Sequence, residues 1–230
     1  MPRMKHLALM LVLALEALPA AAAPKATHPL ASPVTTLRMD GGQYAGQLYY
    51  QSLPADVREK LDKKGQVLLA DDKSTAGSFG GYIRVVALFS LPKRRVWDLV
   101  TQPSLQILFM PHLVSSAIVS RTPEGETTDF VVKVLWVSVK LRVAHKFYAD
   151  QSRLEWALDN SVKNDIKAQE GYWQFFELGP DKTIGEYGTR VETGLAVPHF
   201  IQETLARHDI PGALTAFRNY VNSNGTWRRE

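Results

Sequence analysis

Residues 198–222, PHFIQETLARHDIPGALTAFRNYVN, govern how this chain folds. Phe200, Ile201, Leu205, Leu214, Phe217 and Val221 recur at three- and four-residue spacings, and Gln202, Glu203, Arg207, Arg218 and Asn219 fill the other side. That pattern predicts one long amphipathic helix. Pro211 lies inside the run. It lacks an N–H and crowds the carbonyl four residues earlier, so a kink is expected near Asp209–Ile210. A helix with one apolar face must bury it, and a sheet with one apolar face is the natural partner. The pair either closes a solid core or encloses a cavity for an apolar molecule.

Upstream of the helix the chain reads as strands. Tyr82–Leu91 is a strong one, followed by a helix from Pro92 to Thr101 and a short helical piece from Ser104 to Met110. Further strands are expected over Val114–Thr122, Thr128–Trp136, Val139–Ala149, Leu154–Leu158, Ile166–Leu178 and Thr183–Thr193, with turns at Pro123–Glu126 and Gly179–Lys182. Gly171, inside a strand, suggests a bulge or bend. The fold class is α+β: an antiparallel sheet against a C-terminal helix. Before this core, residues 27–52 read as a linker, Ser52–Asp56 starts a helix that Gly65 ends, and Gln66–Ala70 is a short strand.

Alternation along the strands assigns faces. Phe130, Val132, Val134 and Trp136 share one face; Val137, Val139, Leu141, Val143, His145 and Phe147 share another, with Lys140, Arg142 and Lys146 opposite. Leu154, Trp156 and Leu158 line up, as do Trp173 and Phe175, and Tyr187, Thr189 and Val191 form the inner set of the last strand. The inner face is large and aromatic. With a few polar groups added, that is the composition of a small-molecule pocket; with none to spare, it is a filled core. His145 is the inward polar residue of most interest, either a satisfied core histidine or a group that orients a ligand's carbonyl, hydroxyl or headgroup. Tyr187 and Tyr172 carry hydroxyls, with packing or edge-capping as the plainer role.

The 230 residues carry a formal charge of +4, 45% hydrophobic and 22% charged side chains and no cysteine. This is a folded globular composition. No basic block points to nucleic acid, and disulfides and thiolate metal sites are excluded. No nucleophile elbow, zinc motif or dinucleotide fingerprint occurs. His199 and His208 are nine apart, not a metal spacing on one helix face. No cofactor or metal is therefore expected. Residues 1–26 have the form of a signal peptide: Arg3 and Lys5, then an apolar run from Leu7 to Leu18, then Ala20–Ala23, with cleavage expected between Ala22 and Ala26. The expected destination is export, periplasmic in a Gram-negative host and secreted otherwise.

Four segments, in this order, carry a family resemblance: Leu91-Pro92 with the Val96-Trp97 helix, Ile107–Pro111, Glu170-Gly171-Tyr172-Trp173-Gln174-Phe175, and Thr189–Thr193 leading into a final helix with an internal proline. Together they resemble the START-like superfamily of polyketide cyclases, coenzyme-Q-binding proteins and lipid-transfer domains. The resemblance implies a helix-grip fold, a curved antiparallel sheet wrapped around the C-terminal helix with an internal apolar cavity. It places a ligand-binding domain at 79–222, between an N-terminal extension at 27–78 with one helix and one short strand, and a tail at 223–230. It implies a ligand site lined by Phe109, Trp136, His145, Phe147, Trp156, Trp173, Phe175, Tyr187 and Phe217, with Phe109–Pro111 at the cavity mouth, either packed inward or touching a membrane in passing. The partner is a hydrophobic small molecule or lipid: a quinone, isoprenoid, sterol-like lipid or acyl chain. Non-catalytic binding or transfer is the first expectation, a cyclase or aromatase reaction in the same cavity the second, and an interaction module with a filled core the third, because one fold hosts all of these.

Overall fold

The computed structural model describes residues 45–69, 83–134, 137–192 and 210–229. Its centre is a curved eight-stranded antiparallel sheet. The strands are β1 (Gln66–Leu68), β2 (Ile83–Phe89), β3 (Leu113–Thr122), β4 (Gly125–Val134), β5 (Val137–Tyr148), β6 (Arg153–Leu158), β7 (Ala168–Gly179) and β8 (Lys182–Glu192). Their order across the sheet is β1-β2-β8-β7-β6-β5-β4-β3. Strands β3 to β8 each pair with their neighbour in sequence. The non-local closure is β2 against β8, from Ile83↔Thr189 to Phe89↔Thr183.

The two helical pieces after β2 fall where proline places them. Pro92 precedes α3 (Lys93–Val100), and Pro103 opens a 3-10 helix, Pro103–Leu108. Proline's missing N–H costs nothing in a first turn. Of the expected C-terminal helix, Ile210–Asn222 is described and is α4; residues 198–209 and the expected kink lie outside the described residues, as do Trp136 and the expected signal segment. The tail is tied down. Trp227 packs against the main core, and the Arg229 guanidinium donates to the carbonyls of Met110 and Leu113 at 2.5 and 2.6 Å.

On the inner face, α3 and α4 close a core of Val85, Phe89, Val96, Leu99, Phe109, Trp173, Phe175, Leu214 and Val221. The outer face is also covered, which the sequence reading missed. Residues 45–52, read as linker, are the helix α1 (Ala45–Ser52), so two helices precede β1: α1 and α2 (Ala55–Lys64). Tyr49, Leu53 and Leu61 pack with Val86 and Ile184 in a separate core, and Tyr49 stacks on Phe176 at 4.9 Å. Helix α1 lies so close to β7 that a Cβ on Gly46 would collide with the Glu177 carbonyl oxygen.

Glu186 is the polar centre of this outer layer. It is fully buried. Its carboxylate accepts from the hydroxyls of Tyr49 at 2.6 Å and Tyr172 at 2.5 Å and from the Arg84 guanidinium at 2.8 Å. Burial and the adjacent carboxylate push the Tyr49 hydroxyl far above its ordinary range, so it remains a donor. A buried charge is tolerated when paired and hydrogen-bonded in this way. Replacing Glu186 by Ala should therefore destabilise the protein by about 3–5 kcal/mol, the scale for breaking a buried pair. It should also loosen α1, read as a lowered urea midpoint and faster proteolysis within residues 45–64; Tyr49→Phe should lose about 1–2 kcal/mol.

Candidate functional site

The sheet register places the expected ligand residues in rows across the inner face. One row runs Phe147, Leu154, Trp173, Tyr187 and Val85 through successive strands. The next runs Glu126, His145, Trp156, Gly171, Thr189 and Ile83. Phe130 faces Leu141 beyond them. Within each strand the sets read from alternation hold for Phe130 and Val132 and for Val139, Leu141, Val143, His145 and Phe147, but pairing of Phe130 with Leu141 and of Val132 with Val139 puts both sets on the same face rather than on two.

The aromatic residues form two groups. Around α4, Phe217 stacks on Trp173 at 5.1 Å and meets Phe89 edge-on at 5.9 Å, and Trp173 lies on Phe175 at 5.2 Å. Phe109 stacks on Tyr220 at 4.4 Å and is buried, so it packs inward and presents no apolar surface at a mouth. Toward β6, Trp156 leans on Tyr187 at 5.5 Å. Gly171 makes no bulge: pairing runs regularly through it to Trp156 and Thr189. Its role is space, because a Cβ there would run into the Trp156 ring.

Two of the polar candidates are settled by their partners. Burial raises the Tyr187 hydroxyl to about 12, and the hydroxyl is hydrogen-bonded to the Thr189 side chain. Thr189 in turn donates to the Glu170 carbonyl at 3.1 Å. Tyr172 lies on the outer face and serves Glu186. His145 differs. It is 6% exposed and its ring stands edge-on to Phe130 at 6.3 Å. Its Nδ1 lies 3.2 Å from the Glu126 backbone carbonyl. A carbonyl can only accept, so Nδ1 carries the proton. Burial brings the imidazole down to about 4, against smaller raising effects of the Glu126 carbonyl and carboxylate.

Glu126 is the residue that the sequence reading missed. Read as part of a turn, it is the second residue of β4 and 1% exposed. Its carboxylate accepts from the Ser104 N–H at 2.8 Å and the Thr128 hydroxyl at 2.7 Å, and pairs with Arg121. It ties the start of the 3-10 helix to the sheet. The signal was a Glu-x-Thr alternation running into Phe130, obscured by the Gly125 beside it. Among the described residues no group of three potential ligands is placed to hold a metal ion, and no helix is long and apolar enough to cross a membrane. Two open recesses, of about 320 and 300 Å³, lie between α2, β1 and α4 around Arg218. None of the expected ligand residues among those described lines either recess.

A curved antiparallel sheet gripping a C-terminal helix, with an aromatic inner wall, defines a helix-grip protein of the START-like class. The chain belongs to the polyketide cyclase/dehydrase and lipid transport family, whose sequence profile matches residues 89–218. Solved structures show the same fold at low identity. A STAR-related lipid transfer protein from Xanthomonas axonopodis superposes with a TM-score of 0.55 at 14% identity, over 69% of this chain and 99% of that one. Human STARD10 does so with 0.57 at 8% identity, over 74% and 80%. The Zhui aromatase/cyclase from Streptomyces gives 0.51 at 13% identity, over 63% and 92%. A comparison with curated proteins finds no match.

The depressed imidazole has a measurable consequence. In the unfolded chain a histidine titrates near 6.5, and in the folded protein His145 titrates at about 4. Between those values unfolding takes up a proton, so stability is full above about 6.5 and falls as the pH drops, by about 3 kcal/mol in all for this group. His145→Phe should remove that part of the slope, read as the difference between the two proteins' urea midpoints at pH 7 and pH 4.5.

Proposed function

We propose that this protein binds and carries a hydrophobic small molecule, held between the inner face of the sheet and the C-terminal helix, without altering it chemically. The observation that carries the reading is the wall itself: Phe147, Trp156, Trp173 and Tyr187 side by side, with one buried neutral histidine among them. A mostly apolar wall with few polar groups is what small-molecule sites are made of. Burial of ligand surface supplies the affinity, at roughly 25 cal/mol per Å². Membership of a family described by lipid transport supports it. Quinones, isoprenoids, sterol-like lipids and acyl chains fit the chemistry, with loading by transient contact with a membrane.

A cyclase reading draws on the Zhui neighbour and on Glu126 and His145, which stand side by side on the inner face. It is the weaker one. The Glu126 carboxylate is occupied by Ser104, Thr128 and Arg121, the Tyr187 hydroxyl by Thr189, and an imidazole titrating near 4 is a poor base at neutral pH. The filled-core reading draws on the close packing of Trp173, Phe217 and Phe89, so the guest belongs toward β4–β6 rather than under Phe217.

Export is part of the proposal. It rests on the charged and apolar pattern of residues 3–23. The intact mass of protein from its own host should place the new N-terminus between Ala23 and Thr27.

Native mass spectrometry of protein purified from its own host, followed by organic extraction, tests the carrier reading. A reproducible apolar ligand is expected, reduced at least severalfold by Trp156→Arg, which puts an unpaired charge into the wall. Protein that is always empty, and that takes up no lipid from vesicles, overturns it.

A further inference from the structure

The carried molecule's polar end can be specified from the hydrogen-bond sense of the wall. Nδ1 of His145 donates to the Glu126 carbonyl. In the neutral ring this leaves Nε2 with a lone pair and no proton. Among the described residues Nε2 has no hydrogen-bond partner. Its neighbours across the strands are Glu126, whose carboxylate is already engaged, and Trp156. Phe130 stands against the ring. A second orphan lies on the same face: Ser116 pairs with Phe130 across β3 and β4, and its hydroxyl oxygen is buried without a partner among the described residues.

Buried polar atoms are almost always satisfied, and the exceptions call for an explanation. Ser116 is such an exception, and Nε2 of His145, which is not fully enclosed, lacks a partner among the described residues; both lie beside Phe130 on the inner wall, while Tyr187, Thr189, Thr128 and Glu126 around them are engaged. We propose, resting on the carrier reading, that His145 Nε2 accepts a hydrogen bond from the guest, so that the preferred ligand is an apolar molecule ending in a hydroxyl or another O–H or N–H donor. A ligand that offers only acceptors, such as a quinone, ketone or ether, leaves Nε2 unsatisfied. Ser116, which can donate or accept, tolerates the second valence of a hydroxyl. His145 acts here as a positioning and selecting group, not as a base: nothing is transferred. Its neutrality at physiological pH follows from burial and keeps the acceptor available.

The test uses delipidated full-length mature protein and three probes of similar chain length: hexadecanol, hexadecyl methyl ether and hexadecan-2-one. Binding is followed by quenching of tryptophan fluorescence. The alcohol is expected to bind about tenfold more tightly than the ether or the ketone, the size of one good buried hydrogen bond. His145→Phe should bring the alcohol to the level of the ether while leaving the ether unchanged. Equal binding of the three probes by the wild type overturns the inference and leaves the carrier reading standing. A preference that survives His145→Phe also overturns it, since the contact then lies elsewhere. Failure to bind any probe, or any vesicle lipid, removes both. Because the variant could fold poorly, ¹⁵N spectra of the wild-type histidines provide an independent readout. The Nε2 resonance of His145 should lie at an unprotonated position and move upfield with the alcohol only. A protonated Nε2, or a resonance indifferent to all three probes, overturns the assignment.

Discussion

The pairing of β2 with β8 holds the rest of the molecule in place. These strands are about a hundred residues apart in the chain, yet they run side by side from Ile83↔Thr189 to Phe89↔Thr183. Every other pairing among β3–β8 joins strands consecutive in sequence, through a turn or, between β6 and β7, a short loop. Loop closure of this length is costly, so it must be offset by what the ladder brings together. It places Val85, Ala87 and Phe89 beside Tyr187, Gly185 and Thr183 on the inner face, and Val86 and Arg84 beside Glu186 and Gly188 on the outer one. Both cores of the protein begin at this seam. Thr183 adds a stitch by donating its hydroxyl to the Leu91 carbonyl at 2.8 Å, just where the chain leaves for α3.

The two faces solve the problem of buried polarity differently. On the outer face, Glu186 is surrounded by donors from three separate elements, and its charge is matched by Arg84. That arrangement is complete in itself and anchors the N-terminal helices. On the inner face, Glu126 is equally buried and equally engaged, but the histidine next to it uses one ring nitrogen and, among the described residues, leaves the other open. A closed network specifies structure. The open valence on the inner wall is what the proposed selection of a guest rests on, and this contrast separates His145 from the two structural carboxylates.

Much of the inner wall was legible in the sequence because strand alternation is a local geometric rule. Phe147, Trp156, Trp173 and Tyr187 face the same way because alternate residues of a strand must, and the register then brings them into rows. Glu126 escaped because Gly125 beside it reads as turn. Helix α1 escaped because AGQLYYQS has no strong helical signature; it is a helix because Tyr49 and Gly46 have a sheet to lie on. Gly171 was read as a backbone device, when its value is the room it leaves for a ring on the neighbouring strand.

The class of fold was already written in short-range features of the chain. Strand periodicity, the prolines at 92 and 103, and an apolar helix face are all local, and a sheet and helix with matching faces have few ways to combine. Which polar groups are engaged and which stay open was left to tertiary contact. Whether an imidazole nitrogen meets a carbonyl, or a carboxylate meets two tyrosines and an arginine, depends on neighbours across strands and on burial, and no spacing along the chain encodes those distances.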